Sequence, residues 1–317
     1  MNANEVSSLL ARTGHPHASS ALDRLLLRRV AARAGLPARR GELVVRMRLA
    51  QRAVVAGDLY RAADLVAPVA DDGAATKLPP PGEVDALTWT LDVLKAQGRY
   101  RDAGRLARRL ERVAPYGNGS QKAFGYWQLG QVSLLVGEVE AARSWLEIAD
   151  GHAVGAGDGL ALAWIRATTS DAYRAHDDGV AGDALWAAFD QPTTTNRLTL
   201  QFLHIQSAEH ARCLGDLGLA RRHVLAARAI KVPGQRSLRR RSLNVLATVA
   251  IGLWCDGEDR MSDEWCGRVD ALRLAYERAG AAAAAADMAA LLGGATNTRV
   301  DMSQWAERGW VEGWLAC

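Results

Sequence analysis

Two places in this sequence hold side chains whose types could support metal or acid–base chemistry. In the first, Asp177, Asp178 and Asp183 are interleaved with Gly179 and Gly182, a spacing similar to that of magnesium-binding acidic boxes. No second acidic box and no basic residues for a diphosphate accompany them, and the segment coincides with a repeated turn described below. We therefore predict a polar turn and a helix cap here.

The second place contains His204 and His210, with Glu209 between them. Zinc-binding histidines on one helix lie four residues apart, whereas six residues turn a helix by about 600° and separate the two rings. Phosphate-binding loops, dinucleotide fingerprints and nucleophile elbows are absent from the sequence, and the four cysteines have no metal-ligand spacing. We predict no metal, no cofactor and no catalytic residues, and we leave open whether the protein is an enzyme.

Positive charge is concentrated at the start of the chain. Residues 1–50 carry nine Arg against three acidic residues, while the net charge of the whole chain is +4. Residues 25–41 weakly resemble a helix-turn-helix in which Arg39 and Arg40 could contact phosphate. About 35 residues barely suffice for a three-helix domain, so we favour a basic capping helix and keep DNA binding as an alternative.

A repeat organises the rest of the chain. Short polar turns recur at nearly even intervals of about 40 residues, around Gly57, Gly98, Gly137, Gly179, Gly215 and Gly257. Small residues recur seven positions before and five after several of these glycines, as Gly130 and Ala142 do around Gly137. Such spacing lets two antiparallel helices approach closely across a glycine corner, so the sequence predicts stacked helix hairpins.

The third unit carries the clearest motif. Tyr126-x2-Leu129-Gly130, followed by Gly137, Ala142, Leu146 and Ala149, resembles the tetratricopeptide repeat family. The period is nearer 40 than the family's 34, and the second aromatic of the first helix is replaced by Ser133. The resemblance implies an all-α, right-handed α-solenoid of about six hairpins. We assign residues 1–40 to an N-terminal helical cap, 41–280 to the repeats, and 281–317 to C-terminal capping helices with a Trp-rich tail.

Four polar or glycine-rich segments are predicted to link one unit to the next. They are 71–82, which includes three consecutive prolines, 116–120, 151–159 and 191–196. We expect the proline segment to be a stiff exposed connector and 151–159 to be a flexible loop.

In the tetratricopeptide family the first helix of each unit lines a concave groove. Matched positions recur every three or four residues, so each set also shares one helix face. This face mixes aromatic rings with charges of both signs, which suits a bound peptide. The predicted groove residues are Gln51, Asp92, Lys95, Phe124, Trp127, Gln131, Arg166, Tyr173, His176, Phe202, Glu209 and Arg212.

The composition, with 49% apolar and 23% charged residues, is that of an ordinary folded domain, and no apolar stretch reaches the ~18 residues of a membrane span. We predict a cytoplasmic, non-catalytic adaptor or regulator that binds a peptide or protein segment. One alternative is a DNA-binding transcriptional regulator whose repeats sense a peptide. Another is a biosynthetic enzyme with its site in the groove, where His176 or Glu209 would meet a charged partner. The oligomeric state is open, a dimer included.

Overall fold

A computed structural model describes residues 58–70, 80–174, 177–191, 197–230 and 263–280, with isolated helical residues between 43 and 53 and between 282 and 292. In these ranges the chain forms ten α-helices and no strand, which confirms the all-α prediction for them. The helices are α1 Leu59–Ala70, α2 Pro80–Ala96, α3 Tyr100–Val113, α4 Gly119–Leu135, α5 Val139–Ala156, α6 Gly159–Tyr173, α7 Asp178–Phe189, α8 Arg197–Cys213, α9 Leu217–Ala229 and α10 Asp263–Ala279. Among them, none combines the length and the apolar character needed to cross a membrane.

Three predicted glycine corners are confirmed. They join α2 to α3, α4 to α5 and α8 to α9, and have positive φ angles of 70° at Gly98, 82° at Gly137 and 77° at Gly215. After each corner the next amide bonds to the carbonyl five residues earlier, as Glu138 N–H does to Ser133 O at 2.8 Å. This pattern ends one helix in a left-handed residue and starts the next immediately, so each corner fixes a hairpin.

Acidic or amide side chains cap the N-terminal ends of several helices. The Asp216 carboxylate accepts from the amide of Leu219 at 2.8 Å, and Asn118 and Gln121 form a reciprocal capping box at the start of α4. Asp177 accepts from the Val180 amide at 3.1 Å, which confirms the predicted helix cap in the acidic segment. These caps satisfy amides that a helix leaves unpaired at its first turn.

The fourth predicted corner is wrong. Gly179 lies inside the first turn of α7 and has no positive φ, because α7 already begins at Asp178. The helices after Gly98 and Gly137 begin two residues beyond the glycine, so α7 starts three residues earlier than Gly179 predicted. Gly57 and Gly257 lie outside the described residues.

The predicted loop at 151–159 is also wrong. Helix α5 continues through Gly151 and Gly155 to Ala156 and is capped by Gly157, whose φ is 63°. Buried Ala149 and Ala153 extend the apolar stripe of the helix through this segment, so packing outweighs the low helix propensity of glycine. Part of the proline segment is likewise helical, since α2 begins at Pro80.

The hairpins pack in chain order and form two kinds of helix. The first helices, α2, α4, α6 and α8, contact one another in sequence, whereas the second helices α3, α5, α7 and α9 contact mainly the flanking first helices. In α4, residues 127–133 are all buried, so this helix is enclosed around its whole circumference. We call α2, α4, α6 and α8 the inner helices and α3, α5, α7 and α9 the outer helices.

The first and last described helices also meet. The Tyr60 hydroxyl of α1 donates to the Glu277 carbonyl of α10 at 3.4 Å, and a Cβ built on Gly280 would lie 3.0 Å from the Tyr60 ring. This contact joins segments 217 residues apart. The structure thus supports an ordered array of helix hairpins, while the open solenoid shape stays a prediction.

Candidate functional site

A buried polar network joins the inner helices α2 and α4. Lys95 Nζ donates to Gln128 Oε1 at 2.6 Å and to Gln131 Oε1, and it pairs with Asp92 Oδ1 at 3.2 Å. The Gln128 amide donates in turn to Asp92 Oδ1 at 2.6 Å. All four side chains are buried, with at most 5% of any residue exposed. We call Asp92, Lys95, Gln128 and Gln131 the first polar network.

This network supplies what a buried ammonium group requires. A charge removed from water is tolerated only with a countercharge and hydrogen bonds, and Asp92 and the two amide oxygens provide these to Lys95. Gln131 Nε2 is the exception, because it is buried without a hydrogen-bond partner among the described residues. The network therefore fixes the register of two inner helices, and its charged groups are engaged with each other.

A second polar network joins α6 to α8. Arg174 Nη2 pairs with Asp171 and donates to Gln206 Oε1 at 3.0 Å. The Gln206 amide donates to Asp171 Oδ2 at 3.1 Å. The side chains of Asp171 and Arg174 are only 8% and 9% exposed. We call Asp171, Arg174 and Gln206 the second polar network.

The two networks are related by position. Asp171, Arg174 and Gln206 follow Asp92, Lys95 and Gln128 by 79, 79 and 78 residues, which is close to two repeat lengths. In both networks an acid and a base three residues apart on one inner helix meet a glutamine on the next. Hence the α2–α5 hairpin pair and the α6–α9 hairpin pair are built on the same plan.

Aromatic rings form a second connection among the inner helices. Trp127 of α4 lies 6.3 Å from Trp164 of α6, which stacks on Phe202 of α8 at 4.3 Å between ring centroids. The Trp127 indole N–H donates to Thr168 Oγ1 at 2.9 Å, which satisfies its polar atom inside the core. These rings therefore hold three successive hairpins together.

A pair of histidines joins α8 to α9. His204 Nδ1 and His223 Nδ1 are 3.1 Å apart, and the Phe189 ring lies beside both. Burial, with a smaller effect of His223, lowers the pKa of His204 from 6.5 to about 4. Burial and nearby Arg222 lower the pKa of His223 as well.

His204 and His210 are not brought together as a metal pair, and the described residues contain no group of three His, Cys, Asp or Glu side chains able to hold a metal ion.

The predicted groove residues differ in how deeply the structure buries their side chains. Five of them are buried between helices and offer no surface to a partner in this structure: Asp92, Lys95, Trp127, Gln131 and Phe202. Three are partly buried: Phe124, Arg166 and Tyr173. Gln51, His176 and the side chains of Glu209 and Arg212 lie outside the described part.

The three partly buried groove residues make contacts of their own. Arg166 pairs with Asp150 at 2.8 Å, and the guanidinium of Arg143 lies 4.3 Å from the centre of the Tyr173 ring. Phe124 packs edge-on against Trp127. The eight described groove residues thus make contacts within the chain, and binding of a partner to them stays a prediction.

Comparisons of the chain with protein-family models, with curated proteins and with solved structures find no significant match. The tetratricopeptide resemblance therefore stays a prediction, and function must be argued from the residues themselves.

Sequence reasoning missed four members of the two polar networks, Gln128, Asp171, Arg174 and Gln206, and also Thr168, which accepts the hydrogen bond from Trp127. A signal for most of them was present, because the acid-x2-base pair and the glutamine both recur after twice the repeat length. A search at the doubled period would have paired these positions.

Proposed function

We propose that this chain is a non-catalytic helical-repeat adaptor that binds a peptide or protein segment. The observation that supports this proposal is a difference between the side chains of the inner and the outer helices. The charged side chains of the two polar networks bind one another, whereas large apolar side chains on the outer helices are exposed to solvent. A surface of this kind favours association over chemistry.

Apart from Tyr60 on α1, the large apolar side chains exposed among the described residues belong to outer helices or to the turns beside them. Ile148 and Val154 lie on α5, Trp186 on α7 and Leu225 on α9. Trp186 is the largest and is 68% exposed. Exposed tryptophans are frequent anchors at the centre of protein interfaces, because one ring buries a large area with few rotamers lost.

The charges beside Trp186 indicate the chemistry of the partner. Asp183 and Asp190 lie three residues before and four after it, so all three share one helix face. Both aspartates are exposed, and α7 contains no basic residue. A segment with an apolar side chain next to Lys or Arg would complement this face.

The test is selection of peptides from a random library on the full-length chain, followed by calorimetric measurement of their affinity. We expect selected peptides to be basic and apolar, and Trp186→Ala to weaken them by about thirtyfold, as for a hot-spot residue. Val136→Ala, at an exposed corner residue, is the matched control and should leave affinity unchanged.

Each other outcome points elsewhere. If Tyr173→Ala weakens binding and Trp186→Ala does not, the segment binds at the predicted groove of the inner helices. If no peptide is enriched, the proposed adaptor function is wrong.

The DNA-binding alternative concerns residues 1–40, outside the described part. Retention on duplex DNA that is lost when those residues are deleted would favour it.

A further inference from the structure

The outer helix α3 presents a row of four arginines to solvent. Arg101, Arg105, Arg108 and Arg112 are all exposed. Their spacing of four, three and four residues places them within about 60° of one another around the helix axis. The row is about 16 Å long. We call these four residues the arginine stripe.

This stripe is not a simple consequence of an arginine-rich composition. The outer helices α3 and α9 each have a net charge of +3, whereas α5 and α7 each have −2. The opposite face of α3 is apolar, since Ala103, Leu106, Ala107 and Leu110 are buried. Positive charge is therefore concentrated on two of the outer helices, and on α3 the four arginines lie on the side away from the buried face.

Most of this charge is uncompensated. Asp102 is bound by Arg99 and Arg105, whose hydrogen bonds lower the pKa of its carboxyl group, and Arg105 is still 65% exposed. For Arg101, Arg108 and Arg112, no acidic partner is present among the described residues. Glu111 is the only other acid on α3. With respect to the described residues, the stripe thus offers three guanidinium groups for an external anion and a fourth that is shared with Asp102.

An exposed aromatic residue follows the stripe. Tyr116 ends the short 3₁₀ turn Ala114–Tyr116 directly after α3 and is 67% exposed. A free guanidinium group binds phosphate with two parallel hydrogen bonds, and an exposed ring can stack on an unpaired base. A row of arginines ending at such a ring matches both parts of a nucleotide strand.

We propose that the arginine stripe and Tyr116 bind single-stranded nucleic acid through its phosphate backbone and one stacked base. The arginine row is about 16 Å long. A single strand whose phosphates are spaced as in a DNA helix presents about five phosphates over this length, enough for every arginine of the stripe. The unpaired base required by Tyr116 favours a single strand over a duplex. This surface is formed by α3 and the turn after it, and its residues include neither Trp186 nor any of residues 1–40.

The experiment measures binding of the full-length chain to a labelled single-stranded oligonucleotide at several salt concentrations. The test variant is the triple substitution Arg101→Gln, Arg108→Gln and Arg112→Gln. The control variant changes Arg222, Arg268 and Arg278 to Gln. These three residues are also exposed and their replacement removes the same charge, and of them Arg268 is paired with Glu264. Affinity for the oligonucleotide falls as salt rises, so the slope of log affinity against log salt is negative. We expect this slope to be less steep by about 2 in the test variant and to change much less in the control.

Tyr116 provides a second readout that does not depend on charge. Tyr116→Leu should weaken binding about tenfold, whereas Tyr116→Phe keeps the ring and should retain affinity. Circular dichroism of each variant checks that the helices are intact.

Four results would overturn the proposal. The first is failure of the wild-type chain to bind the oligonucleotide, and the second is an equal loss of affinity in the test and control variants. The third is a duplex that binds as tightly as the single strand. The fourth is polyglutamate of the same charge competing as well as the oligonucleotide, in which case the stripe recognises an acidic protein.

Discussion

The 3.1 Å contact between His204 Nδ1 and His223 Nδ1 has a counterpart one hairpin pair earlier. Tyr126 and Trp145, which precede these histidines by the same two-repeat interval, stack at 5.7 Å in the same place between an inner and an outer helix. Each of the two hairpin pairs therefore has two rings at this position, but only the histidine rings can gain a proton when the pH falls from neutral towards 4.

The histidine pair predicts that stability depends on pH. Burial holds the pKa of His204 at about 4, while an unfolded histidine titrates near 6.5. Between these values the unfolded chain binds more protons, so the free energy of unfolding falls as the pH drops from about 6.5 to about 4. Because the ring is partly exposed, we expect a loss on the order of 1 kcal/mol, measured by urea unfolding across this range.

His204→Phe should remove most of that pH dependence, since phenylalanine keeps the ring and cannot be protonated. His152→Phe is the control, because His152 stacks on Tyr126 in the other hairpin pair and leaves the two histidines in place. An unchanged pH dependence in His204→Phe would assign the effect to other groups.

The first polar network predicts a large effect of removing one charge. Lys95→Ala takes away the ammonium group that faces the buried Asp92 carboxylate, which should cost about 3–5 kcal/mol of unfolding free energy. The double variant Lys95→Met, Asp92→Leu removes both charges and should recover the part of the loss that comes from the unpaired carboxylate, while the cost of the unpaired amides of Gln128 and Gln131 remains. Denaturant unfolding of both variants measures the difference.

The exposed pair of Arg268 and Glu264 provides a reference for this experiment. Arg268→Ala breaks an ion pair that is mostly in water, so it should cost less than about 1 kcal/mol. If Lys95→Ala costs no more than Arg268→Ala, the first polar network does not hold its helices together.

The hairpins were predictable because their signals are local. A glycine corner followed by a capping residue needs only a few neighbouring residues, and Gly98, Gly137 and Gly215 behave as their spacing predicts. The prediction of a loop at Gly151 was wrong, since the helix around it is stabilised by buried alanines on either side, Ala149 and Ala153. The polar networks depend on which helix faces meet, and that register is set by packing between hairpins rather than by any single segment.

The corrected corner gives a direct comparison between two glycines. Gly137 has a φ of 82° and Gly179 lies in a helix, although both were predicted to be corners. Gly137→Ala should cost about 1–2 kcal/mol through backbone strain alone, because an added Cβ has nothing within 4 Å. Gly179→Ala should be neutral or stabilising by up to about 1 kcal/mol. Thermal unfolding of the two variants measures both, and equal losses would restore Gly179 as a corner.

The close approach of α4 and α5 predicts that replacing two glycines of this hairpin by alanine has opposite effects on stability. A Cβ at Gly130 would lie 2.8 Å from Cγ of buried Leu146, whereas a Cβ at Gly151 would meet nothing within 4 Å. Gly130→Ala should therefore destabilise the protein by about 1–3 kcal/mol through overpacking. Gly151→Ala should stabilise it by about 0.5–1 kcal/mol because alanine favours the helix. Melting temperatures that shift in the same direction would mean that α4 and α5 do not approach as closely as Gly130 and Leu146 indicate.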